Sequence, residues 1–235
     1  MAGILYVVPN LLGVVPVTSV LPAHTIETAR RLTHWRVETP KPARAFLNSL
    51  EMPSAIATLD ILPLPERASQ PALETLLLPA HEGHDIGLLS DAGCPGIADP
   101  GAALVAAAHA ARIRVVPLVG PSSLLLALMA SGMNGQGFAF HGYLPVAKDA
   151  RAAMLRKLEA ESRPQRRAQL FIETPYRNEA MLVALGETLQ PATTVCVAAD
   201  LTLPTETIER RTAAAWRREN PARFAKRPAI FILEV

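Results

Sequence analysis

The sequence predicts an α/β protein of two domains, a parallel-sheet N-terminal domain and a mixed-sheet C-terminal domain, and three observations carry that prediction. Short apolar, β-rich runs alternate with helix-like segments through the first half, as βαβ units do. One run, Ile86-Gly87-Leu88-Leu89, is continuously apolar, as expected of a strand covered on both faces. Near the C-terminus two strand-like runs follow one another with only a short loop between them, which calls for antiparallel pairing.

Taken in order, the first half reads as strand Ile4–Val8, helix Ile26–Leu32, strand Trp35–Glu38, helix Pro42–Leu50, strand Ala57–Leu62, helix Pro71–His81, strand Ile86–Leu89, helix Gly101–Ala111 and strand Val115–Val119. After Gly120 come a helix (Ser122–Ala130), a glycine-rich passage and an extended run (Phe138–Leu144). The texture then changes to an amphipathic helix (Asp149–Glu161), strand Gln169–Glu173, helix Asn178–Leu189, strand Thr194–Ala199, a polar strand Thr205–Arg211, a short helix near Trp216 and strand Ala229–Glu234. The domain boundary is placed near residue 118, dividing the chain into 1–118 and 119–235. The 21 prolines sit mostly at element edges, where a missing N–H does least harm.

With 235 residues, half of them hydrophobic, the chain can bury a sizeable core. Its longest apolar run, Leu124 to Ala130, falls far short of the roughly 20 residues that span a bilayer, so no membrane segment is expected. The apolar N-terminus lacks a basic region and is broken by Pro9, Asn10, Gly13 and Pro16, and reads as a buried strand and not a signal peptide. Two cysteines, Cys94 and Cys196, form no CxxC pair, which favours a reducing, cytoplasmic setting over a disulfide framework. The net charge is +2, unevenly spread: residues 1–118 hold 8 basic and 10 acidic side chains, residues 119–235 hold 15 and 11. Runs such as Arg163, Arg166, Arg167 and Arg210, Arg211, Arg217, Arg218 suit phosphates, though solvated helix faces carry such charges too.

Ligands of open parallel sheets bind beyond the carboxyl ends of the strands. Three such loops stand out: Pro9 to Gly13, Ser90 to Gly101, and Gly120-Pro121-Ser122-Ser123. The long middle loop, SDAGCPGIADPG, holds three glycines, two prolines and two aspartates, a composition that lets backbone approach a ligand closely. Asp99 reads first as the N-cap of the following helix, with Pro100 at its first position. Asp91 has no such helix to cap and is open to a ligand or to turn bonds. Ser122 either caps a helix or offers its hydroxyl at a helix N-terminus, and both can hold together. In the second half, Glu173 ends an apolar strand, Asp200-Leu201-Thr202 leaves another, and His141 and Tyr143 lie in the extended run before Pro145. His81 and His84 have no third ligand nearby, so no metal is expected. P-loop, GxSxG and HExxH motifs are absent, and the cluster Gly132, Gly135, Gly137 precedes a strand, the wrong context for a dinucleotide fingerprint.

At these loops the sequence resembles the tetrapyrrole-methylase superfamily over essentially the whole chain, and within it the branch containing the small-subunit ribosomal RNA (cytidine-2′-O)-methyltransferase. The segments that carry the likeness are SDAGCPGIADPG (90–101), VVPLVGPSS (115–123), FAFHGYLP (138–145), FIETPYR (171–177) and ADLT followed by Glu206 (199–206). The resemblance implies a two-domain tetrapyrrole-methylase-like fold, paired as a homodimer, with S-adenosyl-L-methionine folded in a cleft between the domains and S-adenosyl-L-homocysteine as product. It assigns cofactor contacts to Pro9, Ala92, Gly93, Cys94, Ile97, Gly120, Ser122, Ser123, Glu173 and Leu201. The candidates to accept a proton from the nucleophile are Asp91, Glu173, Asp200 and His141, which the sequence does not rank. Two departures bear on the substrate: Gly13 is followed by Val14-Val15-Pro16 where the RNA-modifying relatives have Gly-Asp, and Ile172-Glu173-Thr174 stands for their tyrosine-glutamate-serine. The expected activity is S-adenosyl-L-methionine-dependent methylation, of ribosomal RNA at a ribose 2′-oxygen; a small-molecule or tetrapyrrole methylase and a non-catalytic S-adenosyl-L-methionine-binding protein are the alternatives.

Overall fold

The computed structural model describes residues 2–67 and 69–235, and the chain separates into two compact units, Met1–Ser122 and Ser123–Val235. The first unit runs β1 (Ile4–Val8), α1 (Ala23–Arg31), β2 (His34–Val37), α2 (Pro40–Ser49), β3 (Asp60–Pro63), α3 (Gln70–His81), β4 (Ile86–Leu89), α4 (Ala102–Ala110) and β5 (Arg114–Pro117). All pairings are parallel, in the order β3-β2-β4-β1-β5. All four residues of β4 are buried, and it lies between β2 and β1. Gly87 is required there: a Cβ would come within 2.6 Å of the indole of Trp35, which is itself fully buried.

Alternation along the strands splits the core in two. Val8, Trp35 and Leu89 pack with Ala29 of α1, Leu32 just after it, and Phe46 and Leu47 of α2, while Leu5 and Leu88 pack with Leu73, Leu76 and Leu77 of α3 and Leu104 and Ala108 of α4. Each such Leu or Phe contributes about 1.5–3 kcal/mol by leaving water. Arg36 is buried between these layers, where its cation is compensated: Nε donates to Leu76 O at 2.8 Å, and Nη1 donates to Trp35 O at 3.0 Å and Asp60 Oδ2 at 2.9 Å. Because the chain leaves β1 toward β2 and leaves β4 toward β5, on the other side, the order reverses between β1 and β4. Such a switch point is where open α/β sheets form their ligand crevice.

Several boundaries differ from the sequence reading. The run Ala57–Leu62 is divided, with a single 3-10 turn at Ile56–Thr58 before β3 begins at Asp60. Asp99 does not cap α4: the helix starts later, Gly101 holds the N-cap position at φ 133, and no side chain caps it. The division between units falls at 122/123, four residues beyond residue 118. The segment after β5 stays with the first sheet because Leu118 N–H donates to Val7 O, the Thr25 hydroxyl donates to Val119 O, and Gly120 lies against Pro9.

The second unit runs α5 (Ser123–Ser131), β6 (Phe138–Tyr143), α6 (Lys148–Gln165), β7 (Ala168–Glu173), α7 (Asn178–Thr188), β8 (Thr194–Ala199), β9 (Thr207–Thr212), α8 (Ala213–Trp216) and β10 (Ala229–Glu234). Its sheet is mixed, in the order β6-β7-β10-β8-β9, with β6 parallel to β7 and the remaining pairs antiparallel. Phe171 and Phe231 stack across β7 and β10 at 5.7 Å, over Leu155 and Leu158 of α6 and Met181 and Leu185 of α7. The short α8 is held by Thr212, whose hydroxyl accepts from the Ala215 N–H. Helix α6 ends at Gln165, and its C-cap, Arg166, adopts a left-handed φ of 47. No helix among the described residues is long and apolar enough to cross a membrane.

Candidate functional site

A parallel sheet delivers every strand's exit loop to one rim, and in the first unit those loops are tied to one another by buried polar groups. Asn10, directly after β1 and 5% exposed, donates from Nδ2 to the carbonyls of Ser90 and Asp91, both at 3.0 Å, and from its backbone to Gly93 O at 2.8 Å. Asp91 is tied in turn to the exit of β2: its N–H donates to Glu38 Oε2 at 3.0 Å and its Oδ1 accepts from Thr39 N–H at 3.1 Å. The Cys94 thiol reaches Pro121 O at 3.4 Å, joining the loop after β4 to the one after β5. Pro9, Asp91 to Cys94, Ile97, Gly120 and Ser122 thus come together on this rim, while Ser123 begins α5 of the second unit.

Close backbone approach explains the glycines. Gly93 has φ 63, a conformation that L side chains rarely adopt, and a Cβ there would lie 3.2 Å from Leu12. At Gly120 a Cβ would sit 2.2 Å from Cγ of the Pro9 ring. Ala92 and Ile97 are exposed at the loop crest, Ile97 by 51%, and Ala98 beside it has φ 63. An apolar side chain held out on a strained loop suits a face offered to a ligand.

Three carboxylates crowd this rim. The Asp99 carboxyl is pushed up from 3.8 to about 6, by burial first and then by the charges of Glu38 and Asp91, with the Ser90 hydroxyl opposing the shift. Burial, followed by the charge of Asp99, raises the Cys94 thiol as well, so Cys94 is a packing and contact residue and not a reactive thiolate. The sequence reading did not single out Asn10 or Glu38 for the site. An amide placed directly at a strand exit was the available signal for Asn10; Glu38 becomes visible only when β2 is laid beside β4.

In the second unit the register aligns Glu173 with Ala229, Ala229 with Ala199, and Ala199 with Thr207, so Glu173 and the turn Asp200-Leu201-Thr202 share one end of the sheet. Glu173 is 4% exposed, and its Oε1 accepts from Thr174 N–H at 2.7 Å and from Arg177 Nε at 2.8 Å and Nη2 at 2.5 Å. Asp200 is engaged internally: Oδ2 accepts from Arg227 Nε at 2.7 Å and from the Thr205 hydroxyl at 2.9 Å. Leu201 is buried beside it. His141 lies within edge strand β6, where a register shift and Gly142 at φ 63 mark a bulge; its Nε2 lies 2.6 Å from Oε1 of buried Gln169. Among the described residues no group of three or more His, Cys, Asp or Glu could hold a metal ion.

Both units are α/β: the first carries glycine-backed turns at the exits of a parallel sheet, and the second, taken by itself, ends a strand of a mixed sheet in a clamped glutamate. Residues 23–216 match the family of Tetrapyrrole (Corrin/Porphyrin) Methylases, and the chain belongs to that family. It is 39% identical over 145 residues to the Ribosomal RNA small subunit methyltransferase I of Escherichia coli O157:H7, covering 62% of this chain and 49% of that protein. It is 30% identical over 220 residues to the protein of the same name from Vibrio cholerae serotype O1, covering 88% of this chain and 68% of that one. The chain spans about half the length of the first of these relatives. The crystal structure of the methyltransferase CobJ shares the fold at 19% identity, with a TM-score of 0.65 over 99% of this chain and 94% of that one.

Proposed function

We propose that this chain is an S-adenosyl-L-methionine-dependent methyltransferase that modifies small-subunit ribosomal RNA at a ribose 2′-oxygen. The observation that carries the reading is the likeness to proteins named Ribosomal RNA small subunit methyltransferase I, at 39% identity for the first described above. The rim fits the cofactor chemically. Gly93 and Gly120 keep two turns free of side chains, the Ile97 side chain is exposed to pack on a ring, and the Asp91 carboxylate is available to hydroxyl or ammonium donors. In the second unit, taken by itself, Glu173 carries a buried carboxylate oxygen without a protein partner. When bound, S-adenosyl-L-methionine supplies a methyl group on a sulfonium centre and leaves as S-adenosyl-L-homocysteine.

The work left to the protein is alignment, because a well-oriented pair of reactants gains about 7–11 kcal/mol over free encounter. Asn10 serves this by locking the β1 and β4 loops to each other. Among the four candidate proton acceptors, Asp91 has the most favourable surroundings: it is exposed on the rim and steadied by the Thr39 N–H through a single oxygen. Asp200 is committed to Arg227, and the ring of His141 to Gln169. Pro9, Ala92, Cys94, Ser122, Ser123 and Leu201 complete the proposed cofactor contacts, and pairing as a homodimer in the cytoplasm completes the reading.

The test is to incubate the chain with methyl-tritiated cofactor and small ribosomal subunits from a strain lacking the gene, then digest the RNA to nucleosides. Label in a 2′-O-methylnucleoside is expected, with turnover lowered at least about tenfold by Asp91→Asn. Label confined to small molecules, or unchanged turnover in that variant, would remove the RNA acceptor or Asp91 respectively.

A further inference from the structure

Among the described residues, four buried side-chain oxygens lack a hydrogen-bond partner, and three of them, Glu173 Oε2, Asn178 Oδ1 and Thr202 Oγ1, belong to the segments at one end of the second unit's sheet. These segments are joined: Asn178 Nδ2 donates to the carbonyls of Phe224 and Arg227, Lys226 N–H donates to Pro175 O, and the Arg227 guanidinium donates to Asp200. In the turn carrying Thr202, Asp200 has φ 53, which aspartate tolerates, and Thr202 has φ 71, in the left-handed region that β-branched residues avoid. Unpaired acceptors gathered at one end of a sheet, one of them on a residue held at a strained φ, suit donors from elsewhere.

The distribution of donors on Glu173 is lopsided. Two guanidinium nitrogens of Arg177, Nε and Nη2, and the Thr174 N–H all converge on Oε1, and none reaches Oε2. A free carboxylate could share such donors between its oxygens, as bidentate Arg pairs do. Here Arg177 approaches from one side and sets the rotation of the group.

We propose that Arg177 is a positioning residue: it saturates Glu173 Oε1 and so presents Oε2 as the acceptor for an amino or hydroxyl donor of the ligand, with the Thr202 hydroxyl as a second polar contact. The inference rests on the reading of S-adenosyl-L-methionine binding above and deepens it. The ligand class follows from the surplus of acceptors: a nucleoside or amino-acid moiety rich in N–H and O–H is recognised, and an analogue lacking those donors is rejected.

The test is calorimetric titration of the full chain with S-adenosyl-L-homocysteine. In Glu173→Gln, the Arg177 and Thr174 donors hold the amide oxygen at the Oε1 position and force the NH2 group to where Oε2 stood, donor against donor. Affinity is expected to fall about 10- to 100-fold. Adding Arg177→Met frees that amide to turn, and the double variant is expected to regain part of the lost affinity, a rescue that a purely structural arginine would not produce. Thr202→Val should weaken binding at least about threefold, with Thr202→Ser close to wild type. Should Glu173→Gln fail to fold by circular dichroism, Arg177→Lys and Arg177→Met decide the matter, since lysine still offers Oε1 a side-chain donor and methionine leaves it only the Thr174 N–H; equal affinities would overturn the proposal. So would a double variant no tighter than Glu173→Gln alone, or Glu173→Gln binding like wild type. Wild-type chain that folds and takes up no S-adenosyl-L-homocysteine would instead defeat the cofactor reading itself, and this inference with it.

Discussion

Replacing Asp99 by asparagine is expected to stabilise the protein at neutral pH and to leave it unchanged in acid. The folded-state carboxyl of Asp99 is raised from 3.8 to about 6, by burial first and then by the neighbouring charges of Glu38 and Asp91. A group whose folded pKa lies above its unfolded value favours the folded state only while protonated. Its stabilising share is therefore full below about pH 3.8 and lost as pH rises through about 6. The whole shift corresponds to about 3 kcal/mol at 1.36 kcal/mol per unit, and solvent reaching the partly exposed side chain reduces this to about 1–2 kcal/mol. Asparagine keeps the shape and removes the charge, so at about pH 7.5 the variant should gain that amount, or about 2–8 °C in Tm for a chain of this size. Urea titrations from about pH 4 to pH 8 should show the advantage growing through the middle of the range. An advantage that does not vary with pH, or a variant weaker than wild type at pH 7.5, would refute the crowding of the three carboxylates.

Two further outcomes follow from the same unit. Gly120→Ala places a methyl group 2.2 Å from Cγ of Pro9, whose ring cannot rotate aside, so a loss of about 1–3 kcal/mol and weaker binding of S-adenosyl-L-homocysteine are expected; a melting curve and a titration matching wild type would show that the two turns do not touch. His34 has a lowered pKa, chiefly from burial, and stacks on His84 at 5.1 Å, so it contributes stability that is present above 6.5 and lost as pH falls; His34→Gln should flatten the acid limb of the stability curve, and an unchanged limb would show that other groups govern it.

How much of the site could be read beforehand depends on whether the information is local. The loop Ser90 to Gly101 announces itself through its glycines and prolines, because close backbone approach demands small residues at fixed places in the chain. The same local reasoning failed at Asp99. Aspartate followed by proline is a good helix start, yet α4 begins only after Gly101, and the carboxylate meets Glu38, 61 positions earlier in the chain. Asp200 was read as one acid among four candidates; Arg227, brought to it by the β8 and β10 pairing, occupies it. His141 is one of the candidates to accept a proton, and the bulge in β6 sets its ring against Gln169, a partner no local pattern reveals.

By itself the sequence determined the alternation of strands and helices, the burial of β4 on both faces, the change to antiparallel pairing near the C-terminus and the loops that carry small residues. These follow from periodicity, turn chemistry and side-chain size, which act over a few residues. The tertiary structure decided the strand order that reverses between β1 and β4, the tie from Asn10 to the β4 loop, and which oxygens of Glu173 and Asp200 are already engaged. Such choices depend on which distant donor arrives beside which acceptor, and only the packed sheet brings them together.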